Sequence, residues 1–336
     1  MYLKNCWYVA AEAEELGRSL LGRWICDEPL VLYRRQDGTP AILEDRCPHR
    51  KFALSKGELV GDEVQCGYHG MRFDGAGTCT FIPAQDNIPP RLKARAYPVE
   101  ERHGWVWVWM GDPKQADADL IPDYHWNTAD GWAPVKGYMN FAANYQLLVD
   151  NLLDLTHETY VHQRTIGNHA VAHTPMETRA EGDTVYVDRI MKDCPPPPLF
   201  KKARGFKTNI DRWQHIWFKP PANIWIDAGG VPTGENDRTN ALNWMVLNSI
   251  TPEREGSCHY FWGVSRCFAQ DDQEIGELIR NQIVATFEED RDIIETQQRY
   301  IETDPTDKPL LSTNCDAGNV HARRILDRLI AAEAAA

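Results

Sequence analysis

Two groups of residues in this chain have the types and the spacing for metal chemistry. The first is Cys47, His49, Cys66 and His69, written as CPHR and CGYHG: Cys-x-His, sixteen intervening residues, then Cys-x-x-His. Each pair belongs on a short loop. Two such loops brought together can hold a [2Fe-2S] cluster, with two thiolates on one iron and two imidazoles on the other. Neutral imidazoles in place of two thiolates raise the reduction potential above that of an all-cysteine cluster. Gly67 and Gly70 let backbone amides approach the bridging sulfides, a second influence on potential. A structural zinc site also uses two Cys and two His. Its ligands usually come as Cys-x2-4-Cys and His-x3-5-His pairs, whereas each loop here donates one residue of each type.

The second group lies in DNLLDLTHETYVH, Asp150 to His162, where Asp154, His157 and His162 fall within nine residues. On a helix Asp154 and His157 share a face, while His157 and His162 diverge by about 140° at 3.6 residues per turn. Both imidazoles reach one metal only if the helix opens into a π-turn or ends between them. Two neutral imidazoles and a carboxylate, with coordination positions left open, suit non-haem Fe(II) that activates O2. Two surface histidines beside a solvated Asp154 would show the same spacing.

The elements that must position these groups are of two kinds. From Trp7 to about Trp109 the pattern is short β-type runs cut by turns, ending in the alternating WVWVW of Trp105 to Trp109. Alternation puts the three tryptophans on one strand face, which we read as a packed sheet face rather than a binding shelf. The Pro- and charge-rich stretch from Gly111 marks a boundary near residue 120, giving an all-β domain over 1–120 and a second domain over 121–336. The second mixes strands with three helices: the Asp150 stretch, one from about Gln273 to Tyr300, and VHARRILDRLIAAE at the end. The run Pro195 to Pro198 predicts a stiff surface loop near a pocket mouth.

Composition narrows the partners. A net charge of −13 over 336 residues disfavours nucleic acid and anionic membrane, so a small acidic substrate must find a local cation. The chain has no 18-residue apolar run, and MYLKNCWYVA is too short and polar for a signal peptide. A cytoplasmic location is expected. Nine cysteines, an odd number, predict reduced thiols, with clustered ones acting as metal ligands.

With both groups in one chain, the sequence resembles the large subunit of Rieske non-haem iron oxygenases, among them the short members of the vanillate O-demethylase oxygenase kind. The matching runs are NCWYVA at Asn5, CPHR, CGYHG, DNLLDLTHETYVH, DRWQ at Asp211, ITPE at Ile250, YFWG at Tyr260 and DAGNVHARRILDRLIAAE at Asp316. Disulfide-braced respiratory Rieske proteins carry an extra Cys beside each loop. Phe52 and Gly67 stand at those positions here, and Cys79 alone cannot form the bridge.

The resemblance implies an α+β chain, an N-terminal all-β Rieske [2Fe-2S] domain followed by an antiparallel-sheet helix-grip catalytic domain. It implies Cys47, His49, Cys66 and His69 as cluster ligands, His157 and His162 as iron imidazoles, and Asp154 as a carboxylate bridging neighbouring subunits. Asn151 matches an asparagine near the iron, and is also a residue type that starts helices. Head-to-tail trimers fed by an FMN and ferredoxin-type NAD(P)H reductase are implied as well. Three residues before His157, the Asp154 carboxylate is expected to accept the ring N–H that iron leaves unused.

Glu288, Glu289, Asp290 and Asp292 all crowd the position where the resemblance implies a third iron ligand. Ile279, Ile283, Phe287 and Ile294 form a helical stripe at about 0°, 40°, 80° and 60°, and Asp290 falls inside it at about 20°. Glu288 at about 180° and Asp292 at about 220° point to solvent, and Glu289 lies about 120° from the stripe's middle. Asp290 alone faces the core, where a carboxylate needs a cation. His169 and His173 look ligand-like at four apart but sit in a Gly-, Asn- and Pro-bounded segment. A metal role is not expected for them, and His103, His125, His215, His259 and His321 are expected to be solvated or locally hydrogen-bonded.

The expected activity is O-demethylation of an aryl methyl ether such as vanillate, with O2 and reductase-delivered electrons, releasing formaldehyde and a phenol. Hydroxylation of a ring, methyl or N-methyl group at the same site is the alternative. A Rieske electron carrier without catalytic iron is the rival from another class. The sequence does not single out a substrate anchor; a benzoate-type ligand needs an Arg, a Lys or a set of neutral donors such as Asn248.

Overall fold

Short alternating runs make small sheets, and the first third of the chain contains three of them. A computed structural model describes residues 1–335 apart from 236, 239, 240, 307 and 309. The chain divides into two units, Met1–Ile121 with Thr251–Glu255, and Pro122–Ile250 with Gly256–Ala336.

In the first unit β1 (Trp7–Glu12), β2 (Leu21–Ile25), β3 (Glu28–Arg34), β4 (Pro40–Glu44), β5 (Glu58–Val60), β6 (Glu63–Gln65), β7 (Arg72–Phe73), β8 (Cys79–Phe81), β9 (Val99–Arg102) and β10 (Trp105–Trp109) build sheets ordered β1-β10-β9, β2-β3-β4 and β5-β6-β7-β8. Every residue of β10 is buried, so its tryptophans are core, with Trp7 edge-on to Trp109 at 5.5 Å. CPHR follows β4, and CGYHG joins β6 to β7. Each loop is closed on its cysteine by backbone bonds: Lys51 N–H donates to Cys47 O at 2.7 Å, and Gly70 N–H to Cys66 O at 2.9 Å. Gly70 takes φ +72° to make that closure. Gly67 is required by its neighbour, because a Cβ there would lie 2.8 Å from the Lys56 carbonyl oxygen.

The second unit is one seven-stranded antiparallel sheet. Its strands are β11 (Ala133–Phe141), β12 (Glu177–Glu181), β13 (Thr184–Cys194), β14 (Ile210–Lys219), β15 (Asn223–Pro232), β16 (Leu242–Arg254) and β17 (Ser257–Arg266), in the order β11-β17-β16-β15-β14-β13-β12. Helices α1 (Tyr145–Leu153), α2 (Glu158–Val161), α3 (His169–His173), α4 (Pro198–Arg204), α5 (Gln273–Glu302) and α6 (Ala317–Ala335) complete it. The long helix α5 buries Ile279, Ile283, Phe287, Asp290 and Ile294, and sets Phe287 against Tyr260 and Trp262 of β17 at 5.2 and 5.4 Å. Large and small apolar side chains on one helical stripe are what such a helix–sheet contact needs.

The proline run departs from expectation. Pro196 and Pro197 are buried, and Pro198 opens α4, where its fixed φ and missing N–H cost nothing. Among the described residues no helix is long and apolar enough to cross a membrane.

Candidate metal centres

Helix α1 starts on Asn144, whose side chain accepts from the Gln146 N–H, and stops at Leu153 because Asp154 turns extended, at φ −123° and ψ 93°. The Asp154 carboxylate accepts from the Thr156 N–H at 2.9 Å, a local bond that competes with helix continuation. A 3-10 turn over Leu155–His157 leads into α2, and His162 stands just past the end of that helix. Asp154 and His157 therefore do not share a regular helical face. The chain breaks and restarts, and the two imidazoles turn towards each other, ring centroids 5.1 Å apart.

Asp290, on the core face of α5 and only 5% exposed, completes the group. Its Oδ1 lies 3.3 Å from His157 Nε2 and 3.1 Å from His162 Nε2, and the three ligand atoms fall within 4.8 Å of one another. The outward ring nitrogens are engaged. His157 Nδ1 faces the Asp154 main-chain oxygen at 2.8 Å, and His162 Nδ1 faces Glu289 Oε2 at 2.8 Å. These contacts fix both rings with Nε2 towards Asp290.

Burial works against a charged imidazole, but the Asp290 carboxylate overrides it and raises His157, and raises His162 to about 9. Burial likewise pushes Asp290 up, yet hydrogen bonds from His157 and His162 hold it down to about 2. The group is thus built for charge, and a divalent cation competes for the same three atoms. Asn151, on α1, donates Nδ2 to Asp290 Oδ1 at 3.1 Å. Its own Oδ1 is buried with no partner among the described residues.

Three expectations need correction. The main-chain carbonyl of Asp154 holds His157, not its carboxylate, because that carboxylate is turned to cap the 3-10 turn. Glu289 is not a bystander in a run of charge: its side chain reaches from the margin of the stripe to His162. Asn248 cannot anchor a ligand, since it is fully buried, accepting from the Tyr260 hydroxyl at 2.6 Å and donating to Ile224 O at 3.2 Å. Glu288 pairs with Arg291 and Asp292 is exposed, as the helical faces require. His169 and His173 are exposed on α3.

In the first unit Cys47 and Cys66 are 1% and 2% exposed, inside an apolar cluster with Leu43, Leu54, Val64 and Phe73. His49 and His69 are exposed, ring centroids 4.7 Å apart, with Tyr68 at 3.9 Å from His69. Burial pushes the Cys47 thiol up to about 11, with the Cys66 thiol beside it adding to the shift. A buried Cys47 thiol that is costly to ionise alone, with Cys66 beside it and two exposed imidazoles facing it, fits a cluster whose iron supplies the positive charge. All nine cysteines are free, Cys79 included.

The group of His157, His162 and Asp290 opens on a cavity whose wall is mainly apolar, with Leu152, Phe200, Ile226, Trp244, Val246 and Phe287 among its residues. Aromatic and aliphatic walls beside a metal group suit a flat apolar ligand.

Comparison with known proteins agrees with this architecture. Residues 6–98 match the Rieske [2Fe-2S] domain and residues 141–332 match the vanillate O-demethylase oxygenase C-terminal domain. The chain therefore belongs to the Rieske non-haem iron oxygenases, in the group that carries the vanillate O-demethylase oxygenase C-terminal domain. It is similar to the vanillate O-demethylase oxygenase subunit of Pseudomonas sp. (strain HR199 / DSM 7063), 40% identical with 99% of this chain and 96% of that protein covered. The toluene-4-sulfonate monooxygenase system iron-sulfur subunit of Comamonas testosteroni is 39% identical, with 99% and 98% covered. The structure of dicamba monooxygenase bound to 3,6-dichlorosalicylic acid superposes with a TM-score of 0.93 at 36% identity, covering 100% of this chain and 99% of that one. The chain is the oxygenase component of a multicomponent monooxygenase system, with a Rieske cluster, non-haem iron, O2, a substrate and a separate reductase as its requirements.

Proposed function

We propose that the protein O-demethylates an aryl methyl ether of the vanillate kind, with Cys47, His49, Cys66 and His69 as cluster ligands and His157, His162 and Asp290 as iron ligands. The observation that carries the reading is the convergence of two imidazoles and one buried carboxylate beside an apolar cavity. When bound, iron supplies O2 activation and the cluster supplies electrons one at a time. The chain's own residues hold the ring substrate between Phe200, Trp244 and Phe287, keep bulk water from the reacting carbon, and fix the two imidazoles through Asp154 O and Glu289. Overall, one ether, O2, NAD(P)H and a proton give a phenol, formaldehyde, water and NAD(P)+.

The reductase is an FMN and ferredoxin-type flavoprotein, and the oxygenase works as a head-to-tail trimer. There the half-buried Asp154 links His157 to a cluster imidazole of the next subunit. Seven cysteines beyond the two cluster ligands, none of them in a disulfide, support a cytoplasmic location.

The test is turnover of methoxyarenes with a reductase, NAD(P)H and O2, scored for formaldehyde. Equimolar formaldehyde and phenol support the reading, and a ring-hydroxylated product without formaldehyde overturns it. About three irons per chain, against about two, separates the oxygenase from an electron carrier.

A further inference from the structure

Arg212 and Gln214 lie two residues apart on β14 and so share a face of that strand. Both are 2% exposed, and both line the cavity beside His157, His162 and Asp290. Glu158, the residue after His157, joins them: its Oε2 accepts from Arg212 Nη2 and its Oε1 from Gln214 Nε2, each at 2.8 Å. A carboxylate only accepts, so Gln214 must give its amide NH2 to Glu158 and leave its carbonyl oxygen over. Arg212 Nε, Arg212 Nη1 and Gln214 Oε1 are all buried with no partner among the described residues. Buried polar atoms are seldom left this way, and here the unmet demand is for both an acceptor and a donor in one place.

Of the other polar lining residues, Asn151, His157, His162 and Asp290 belong to the metal group, where Asn151 Oδ1 is also left without a partner among the described residues, and Thr286 donates to Gln282 O at 2.8 Å; Phe200 covers the guanidinium at 5.3 Å. Arg189, the other buried guanidinium of this region, bonds Thr156 and does not line the cavity. Arg212 and Glu158 already neutralise each other, with side chains 2% and 4% exposed. A second carboxylate would meet Glu158 and the Gln214 oxygen at close range. A hydroxyl would not, since it accepts and donates through one oxygen.

We propose that Arg212 and Gln214 form the specificity subsite for a hydroxyl group on the aromatic substrate, whose oxygen accepts from Arg212 and whose proton is donated to Gln214 Oε1. Glu158 is the positioning residue that holds both. The inference rests on the reading of the cavity as an aryl methyl ether site.

The test uses the holoenzyme and three isomeric methoxyphenols, each paired with the methoxytoluene in which methyl replaces hydroxyl, and methoxybenzoate paired with methoxybenzamide. Binding is measured by calorimetry and turnover by formaldehyde. At least one methoxyphenol is expected to bind about tenfold or more tighter than its methyl counterpart, because the methyl leaves the buried partners unmet. Arg212→Lys, which keeps a cation for Glu158, and Gln214→Met are each expected to bring that ratio near unity, with iron content and Rieske absorption unchanged. A wild-type ratio near one, or a ratio that survives both substitutions, overturns the subsite. So does selection of benzoate over benzamide that Arg212→Lys abolishes, which would make this an anion site. A hydroxyl preference in binding without formaldehyde from any substrate keeps the subsite and removes the demethylase reading.

Discussion

Replacing Glu289 by Ala tests whether the outward side of the iron site matters as much as its inner side. Glu289 Oε2 lies 2.8 Å from His162 Nδ1, and its side chain is 34% exposed. A hydrogen bond to a charged group contributes roughly 1.5–3 kcal/mol, and the solvent that reaches this one argues for the lower end, about 1.5 kcal/mol. At about 1.4 kcal/mol per decade this is about a tenfold loss of metal affinity, inside the roughly 10- to 100-fold range for such outer partners. Two neighbours on the same helix set the scale. Asp290→Asn removes the anionic ligand and is expected to cost more than Glu289→Ala. Glu288→Ala loses only an exposed pair with Arg291, about 0.3 kcal/mol, and is expected to leave metal binding alone. The measurement is anaerobic titration of the metal-stripped catalytic site with Fe(II) against a chelator, with Rieske absorption as the check that the cluster is intact. Wild-type affinity in Glu289→Ala, or a larger loss in Glu288→Ala than in Asp290→Asn, would refute the geometry.

Replacing His49 by Cys should keep a cluster and lower its potential, since a thiolate adds negative charge where imidazole was neutral; an unchanged midpoint in a redox titration removes His49 from the ligand set. Burial pushes the Glu28 carboxyl up, but Lys4 and Tyr97, which hydrogen-bond it, and the Arg95 charge outweigh this and lower it below 4.5. That lowered pKa stabilises the fold above the unfolded value and is lost as pH falls through the folded one. Glu28→Gln should therefore unfold at lower urea than wild type at pH 7, the gap closing in acid; a gap that widens in acid counts against the assignment. Cys66→Ala and His157→Ala, each inactive alone, should regain activity when co-expressed if the proposed head-to-tail trimer forms, because a mixed ring then contains a junction of intact cluster and intact iron; verified mixed trimers that stay dead would place electron transfer within one chain. Asp154→Asn should keep both metals and slow cluster oxidation in a single turnover, and wild-type speed would remove Asp154 from the path.

The kinds of cofactor, a Rieske cluster and non-haem iron, were readable because residue type and spacing carry them. Two Cys and two His on Gly-bearing loops have few other uses, and α5 is regular enough that one projection separates Asp290 from its three acidic neighbours. The tryptophan alternation likewise read correctly as core. What escaped lies where long side chains bend or where distant segments meet. Glu289 leaves the helix margin and still reaches His162, which no projection of Cα positions records. Asp154 offers its main chain instead of its carboxylate because the helix ends there and the carboxylate caps the turn that follows. Glu158 meets partners 54 and 56 residues away on a strand, and nothing local to any of the three announces the others.

His162 and Asp290, two of the three residues proposed as iron ligands, stand 128 residues apart in the chain. A cation held by both works as a removable cross-link that closes most of the catalytic unit into a loop. Its contribution to folding grows with the logarithm of metal concentration, about 2.7 kcal/mol at a hundred times Kd. When that cation is lost, its contribution to the stability of the folded unit goes with it.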